Sequence, residues 1–188
     1  MTDASRIAEI PEDEYSPEQK QAIQALLQGR GRLLTPYKIW IHSPQLAQAM
    51  EQLGTFLNKR SSLSQREVEL AIVLTARHWA GEYVLEAHVK MCLELGWSPS
   101  VMEAIRRGET PSFDNAREQS VYELAMMAQA PGAGSDATFE AAVTHLGRDG
   151  LAEVLALFGY YSAVAIAMKL HRVPIPGRTE AAAAEVRS

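Results

Sequence analysis

With 188 residues, 47% of them hydrophobic and 22% charged, the chain has an ordinary globular composition and enough length to bury one substantial core. A formal charge of −5 and a pI near 5.6, without a basic stripe, argue against nucleic acid as a partner. The single cysteine, Cys92, excludes an internal disulfide framework and a thiolate zinc cage within one chain.

Taken in order, residues 1–15 begin "MTDASRIAEIPEDEY", a polar, acidic segment that reads as neither a signal nor a transit peptide, so the expected compartment is cytoplasmic. Ser16-Pro17 opens a helix that Gly29 and Gly31 close, and Ser43-Pro44 repeats the signal ahead of "QLAQAMEQLGTFL". Ser64 followed by Glu67 is a capping box at the head of "REVELAIVLTARHWAGEYVLEAHVKMCLELG", residues 66–96. Gly81 breaks that stretch, and a second helix runs to Gly96. Ser98-Pro99 starts a short helix ended by Gly108. Asp114 starts another, which runs towards Pro131-Gly132, and Asp136 caps a segment stopping at Gly147. A long apolar helix follows and ends before Pro174. Its core, Leu151 to Met168, has the minimum length for a membrane span, but it contains Glu153 and lacks basic flanks, so a buried or subunit-contact helix is expected and no membrane partner. The expected architecture is all-α: a bundle of about eight helices forming one domain over 16–174, with a loose tail at 175–188.

Residues 66–96 place polar groups where a core should lie. With 100° per residue on the second helix, Val84, Leu85, His88, Met91, Cys92 and Leu95 share one arc, and Glu82, Glu86, Lys90 and Glu94 fall opposite. His88 is therefore the strongly polar residue of the apolar face. The preceding helix is apolar almost all round and should be buried, which puts Glu69 in low dielectric, where burial penalises its charged form. A buried carboxyl and an imidazole make a workable proton-transfer pair. The plainer reading pairs Glu69 with Arg66 as a helix-surface contact and makes His88 a hydrogen-bonded core residue.

"REVELAIVLTARHWAGEYVLEAHV" resembles the signature region of the carboxymuconolactone decarboxylase family, which includes the alkylhydroperoxidase D branch. "IWIHSPQLAQAMEQLGTFL" and "LFGYYSAVAIAMKL" extend the resemblance over roughly residues 35–175. The redox branch carries a glutamate, eleven residues, C-x-x-C, three residues and a histidine. Glu69 and His88 match that pattern in type and spacing, but Gly81 and Val84 stand at the two cysteine positions. Peroxide reduction by a dithiol needs both sulfurs. The resemblance is therefore to the cysteine-free branch, and it implies an alkylhydroperoxidase D-like fold and an enzyme that needs no metal or organic cofactor.

That resemblance implies decarboxylation of a small carboxylated or lactone-type molecule, with Glu69 and His88 as catalytic residues. Arg77 would hold an anionic group, with His78, Trp79 and Tyr83 as further substrate-binding candidates near the Gly81 bend. Tyr160, Tyr161 and His42 are additional lining options. Family members of this kind form trimers or hexamers, so a homo-oligomer is expected, and Gly159, Ser162, Ala163 and Ala167 suggest close helix approach inside the chain or between subunits. The alternatives are a peroxidase, with Cys92 as a lone thiol one turn after His88, and a non-enzymatic oligomeric binding protein. Neither a metal site nor a nucleotide-binding glycine loop is indicated by the spacing.

Overall fold

A segment apolar on every side has to lie at the centre of whatever packs around it, and α4 (Gln65–His78) does: every residue from Glu67 to Ala76 is buried. The computed structural model describes residue 6, residues 8–30 and residues 35–174. Around α4 stand α3 (Pro44–Lys59), α5 (Glu82–Glu94), α6 (Pro99–Arg107), α7 (Ala116–Gln129) and the long α8 (Asp136–Leu170), all in contact with it. At the far side α1 (Pro17–Arg30) packs on α3, and the short α2 (Thr35–Trp40) bridges α3 and α8. The described residues contain these eight α-helices, one 3-10 turn at Glu12–Glu14 and no strand. The expectation of an all-α bundle holds.

Local signals explain where the helices start and stop. Ser64 Oγ accepts the Glu67 amide N–H, and Glu67 Oε2 accepts the Ser64 amide N–H at 2.8 Å, completing the capping box at α4. At the other end of α4 the chain turns through Trp79 and Ala80, which takes a left-handed φ of 51°, before Gly81 begins α5. Gly108 closes α6 with φ 76°, as its position in the sequence implied. Two starts lie one residue from expectation: Asn115 rather than Asp114 caps α7, and Ser135 rather than Asp136 caps α8. The cap lies one residue later than expected at α7 and one residue earlier at α8, and in each case its side chain accepts an amide of the first turn. The two helices expected either side of Gly147 form one element, bent at Gly147, whose φ 75° and ψ 171° are non-helical. Helix α2, which opens on Thr35-Pro36, and the 3-10 turn were not among the expected elements.

Two crossed ion pairs tie the N-terminal end of α4 to α7. Arg66 on α4 grips Glu118 on α7 (2.6 and 3.3 Å), while Arg117 on α7 grips Glu67 on α4 (2.6 and 3.1 Å). Each is a bidentate guanidinium–carboxylate contact with a buried acid. Arg66 also lies over the Trp97 ring at 4.1 Å and donates to the Leu95 carbonyl. Two described residues near the N-terminus are tied to the bundle: Arg6 donates to the carbonyls of Leu170 and His171, and Glu9 pairs with Lys38 at 2.7 Å. The tail expected at 175–188 lies outside the described residues. By length and composition α8 would span a membrane, but half of its apolar stretch is buried against the other helices, as in a core helix.

Because the capping box anchors the most buried helix, Ser64→Ala should lower unfolding free energy by about 1 kcal/mol in chemical denaturation, with an unchanged denaturant slope.

Candidate active site

Helix α4 carries Glu69 into the core, where the residue is 1% exposed, and the bend at Trp79–Gly81 folds α5 back so that His88 reaches it. His88 Nδ1 lies 2.6 Å from Glu69 Oε2. The other carboxylate oxygen, Oε1, accepts from Gln65 Nε2 at 2.9 Å, one turn earlier on α4. Arg66, the partner considered from sequence, turns instead to Glu118. The His88 side chain keeps 17% exposure, and Nε2 hydrogen-bonds nothing among the described residues. The pair thus has a buried anchoring end and an imidazole nitrogen left for exchange. Such a dyad suits general acid–base chemistry.

Helices α8 and α3 hold the ring in place. Tyr161 meets His88 edge to face, centroids 5.4 Å apart at 82°. Its hydroxyl donates to Asn58 Oδ1 at 2.9 Å, and Asn58 Nδ2 donates to the Gly54 carbonyl at 2.8 Å. Tyr160 packs on Tyr161 and shares a hydroxyl contact of 3.1 Å with Tyr37. Gln65 and Asn58 were not among the sequence candidates. Gln65 was legible, standing four residues before Glu69 on the same helix; Asn58 reaches the site across a helix–helix contact that no local pattern encodes.

The other candidates sit elsewhere around the bend. Arg77 is eight residues beyond Glu69, about 12 Å along α4 at 1.5 Å per residue. Its guanidinium lies against Gly108, where an added Cβ would come within 1.9 Å of Nη2, and its Nε is buried without a partner. His78 is exposed and packs edge-on to Trp79. Trp79 donates its indole N–H to Ser162 Oγ at 2.8 Å, and Tyr83 shares a 3.2 Å hydroxyl contact with Thr35. His42 borders a separate surface cleft of about 120 Å³, with Thr35, Lys38 and His171. On α5, Met91 was expected on the buried arc with His88 but is 40% exposed, because the arc is wider than the surface that α4 and α8 cover. Glu86 is solvated as expected, paired with Arg106 at 2.7 Å. No group of three His, Cys, Asp or Glu side chains among the described residues is arranged to hold a metal.

The first cysteine position of the redox motif, Gly81, is closed by packing as well as by residue type. At Gly81 an added Cβ would stand 2.8 Å from Ala165 Cβ and 3.2 Å from Ala165 Cα, so α5 and α8 touch through this glycine. Close approach was expected at Gly159, Ser162, Ala163 and Ala167, inside the chain or between subunits; within the chain Gly159 is exposed with open space beside it. Val84 is buried. Cys92 is fully buried, and its thiol is pushed up to about 12, first by burial and then by the nearby Glu69 charge, with Arg66 acting the other way. A thiol so raised is protonated at neutral pH and a poor nucleophile.

Gly81 and Cys92 each give testable consequences. Gly81→Cys should destabilise by about 1–3 kcal/mol through overpacking against Ala165, and Gly81→Cys with Val84→Cys should melt below the wild type. For Cys92, the folded value is raised above the ordinary 9.0, so its contribution is fully present below 9.0 and is lost as pH rises towards about 12. Stability measured across that window should fall less steeply in Cys92→Ala than in the wild type, and iodoacetamide should leave the native thiol unmodified near neutrality.

No protein-family model matches the chain, and no curated protein matches it. Solved structures do. The debrominase Bmp8 in its apo form is 13% identical with a TM-score of 0.71, over 96% of this chain and 97% of that one. A cysteine-to-alanine variant of Bmp8 in complex with 2,3,4-tribromopyrrole is 14% identical with a TM-score of 0.68, over 97% and 99%. An Agrobacterium tumefaciens protein of unknown function, described as a candidate antioxidant defence protein AhpD, is 16% identical with a TM-score of 0.64, over 73% and 94%. The chain has the all-α alkylhydroperoxidase D-like fold.

Proposed function

We propose that this chain is a cofactor-independent enzyme that moves protons on a small carboxylated or lactone-type substrate, in the manner of carboxymuconolactone decarboxylases. The observation that carries this reading is the 2.6 Å contact between a core glutamate and a histidine whose second nitrogen is unpartnered among the described residues. Loss of CO₂ from a substrate carboxylate sends the electron pair into a conjugated carbonyl, and a carbon must then gain a proton. His88 Nε2–H is the donor in this reading, and Glu69 balances the imidazolium. The ring ligand named for the Bmp8 complex supports the fold's capacity to take a compact, flat molecule. Substrate binding by Trp79, Tyr83 and His78 around the bend belongs to the same reading. Arg77, held against Gly108, has no contact that links it to the dyad.

Thiol peroxidase chemistry, one route to the antioxidant defence named for the Agrobacterium neighbour, is disfavoured by the filled space at Gly81 and by the buried, protonated Cys92. Self-association is also part of the proposal: Leu46, Leu53 and Phe56 on α3 and Leu155 on α8 are exposed, and a trimer or hexamer would cover them.

A cofactor-free screen for CO₂ release from carboxylated lactones and related keto acids tests the proposal. His88→Ala and Glu69→Gln should lower kcat by about 10²- to 10⁴-fold, with the helical signal retained. Turnover unchanged in both variants would leave a non-enzymatic binding protein as the better reading.

A further inference from the structure

We infer that Gln65 is a positioning residue that fixes the proton of the Glu69–His88 pair on Nδ1 and leaves the lone pair on Nε2. Its catalytic consequence rests on the proton-transfer reading above, but the arrangement itself is structural. Gln65 lies in the first turn of α4, with its own side chain largely in solvent, and its amide reaches inward to Glu69 Oε1 at 2.9 Å. An amide NH₂ only donates, so Oε1 is filled by a donor. The remaining oxygen, Oε2, faces Nδ1 at 2.6 Å. Among the described residues no third donor reaches this carboxylate.

Two arrangements satisfy those contacts. In one, Glu69 is a carboxylate, Nδ1 carries hydrogen and Nε2 is basic. In the other, Oε2 carries the proton, Nδ1 accepts it and Nε2 carries hydrogen. An N–H donates more strongly to a carboxylate oxygen than to the carbonyl of a neutral acid, so Gln65 weights the first. His88 then takes a proton at Nε2 from solvent and returns it to substrate there, while Glu69 stays anionic throughout. Arg66, three residues before Glu69 on the same helix, donates to Glu118 instead.

The test is nitrogen NMR on the full chain with ¹⁵N-labelled histidine, at alkaline pH where the imidazole is neutral. The His88 signals are identified by their loss in His88→Ala. The wild type should show the Nδ1–H tautomer. Gln65→Leu should shift the ratio of the two tautomers towards Nε2–H by about tenfold, the scale of one hydrogen bond to a charged group. Gln65→Lys, which restores a donor at the same helical position, should recover most of that ratio. Should the leucine variant fold poorly, Gln65→Asn, too short to reach, gives the same readout. An Nε2–H tautomer in the wild type, or a ratio unmoved by loss of the amide, overturns the inference. The expected tautomers in a protein without turnover uphold Gln65's role and remove only the catalytic reading.

Discussion

Everything in this molecule is arranged around one buried contact, the carboxylate of Glu69 on α4 against the imidazole of His88 on α5. A carboxylate in the middle of an apolar helix, 1% exposed, costs several kcal/mol unless it is met by donors. Meeting it ties α5 to α4, because His88 is the strong donor on that face of α5. The bend at Trp79, Ala80 and Gly81 sets the angle at which the two helices meet, and Gly81 lets α8 close over the junction by touching Ala165. Tyr161 on α8 then packs edge-to-face against the imidazole, and Asn58 on α3 holds the Tyr161 hydroxyl. The charged groups that could compete for Glu69 are engaged elsewhere, Arg66 with Glu118 and Arg117 with Glu67.

That geometry separates proton handling from sulfur chemistry. The motif positions that hold a dithiol in the redox branch are occupied here by Gly81 and Val84, and at Gly81 the volume of a cysteine side chain is taken up by the neighbouring helix. Cys92, the one thiol, lies too deep and too close to a negative charge to ionise near neutrality. What is left is a carboxylate–imidazole couple at the edge of a hydrophobic core, with the imidazole partly open to solvent.

Much of this was legible in the sequence, because it depends on short-range rules. Helical phasing separated His88 from Glu86, and apolar residues on every side of 67–76 announced the buried helix that contains Glu69. The Ser64–Glu67 box and Gly108 marked helix ends through local backbone chemistry. The parts that were not legible depend on packing between distant segments. Nothing local to Arg66 says that its partner is Glu118, fifty-two residues away, rather than Glu69 three residues away. Nothing at Gly159 distinguishes a glycine with open space from one against a helix, whereas Gly81 is pressed on Ala165. Arg77 has the right charge for an anion holder, but its direction is set by the α6 terminus, which sequence spacing does not reveal.

The central claim is that His88, supported by Glu69, delivers a proton to carbon. The most direct measurement is to run the decarboxylation of an active carboxylated lactone in D₂O and to analyse the product by NMR. A single deuterium on one face of the carbon that takes up the proton is expected in the wild type, with slow and stereochemically random labelling in His88→Ala. Equal rates and equally random labelling in the two proteins would contradict it.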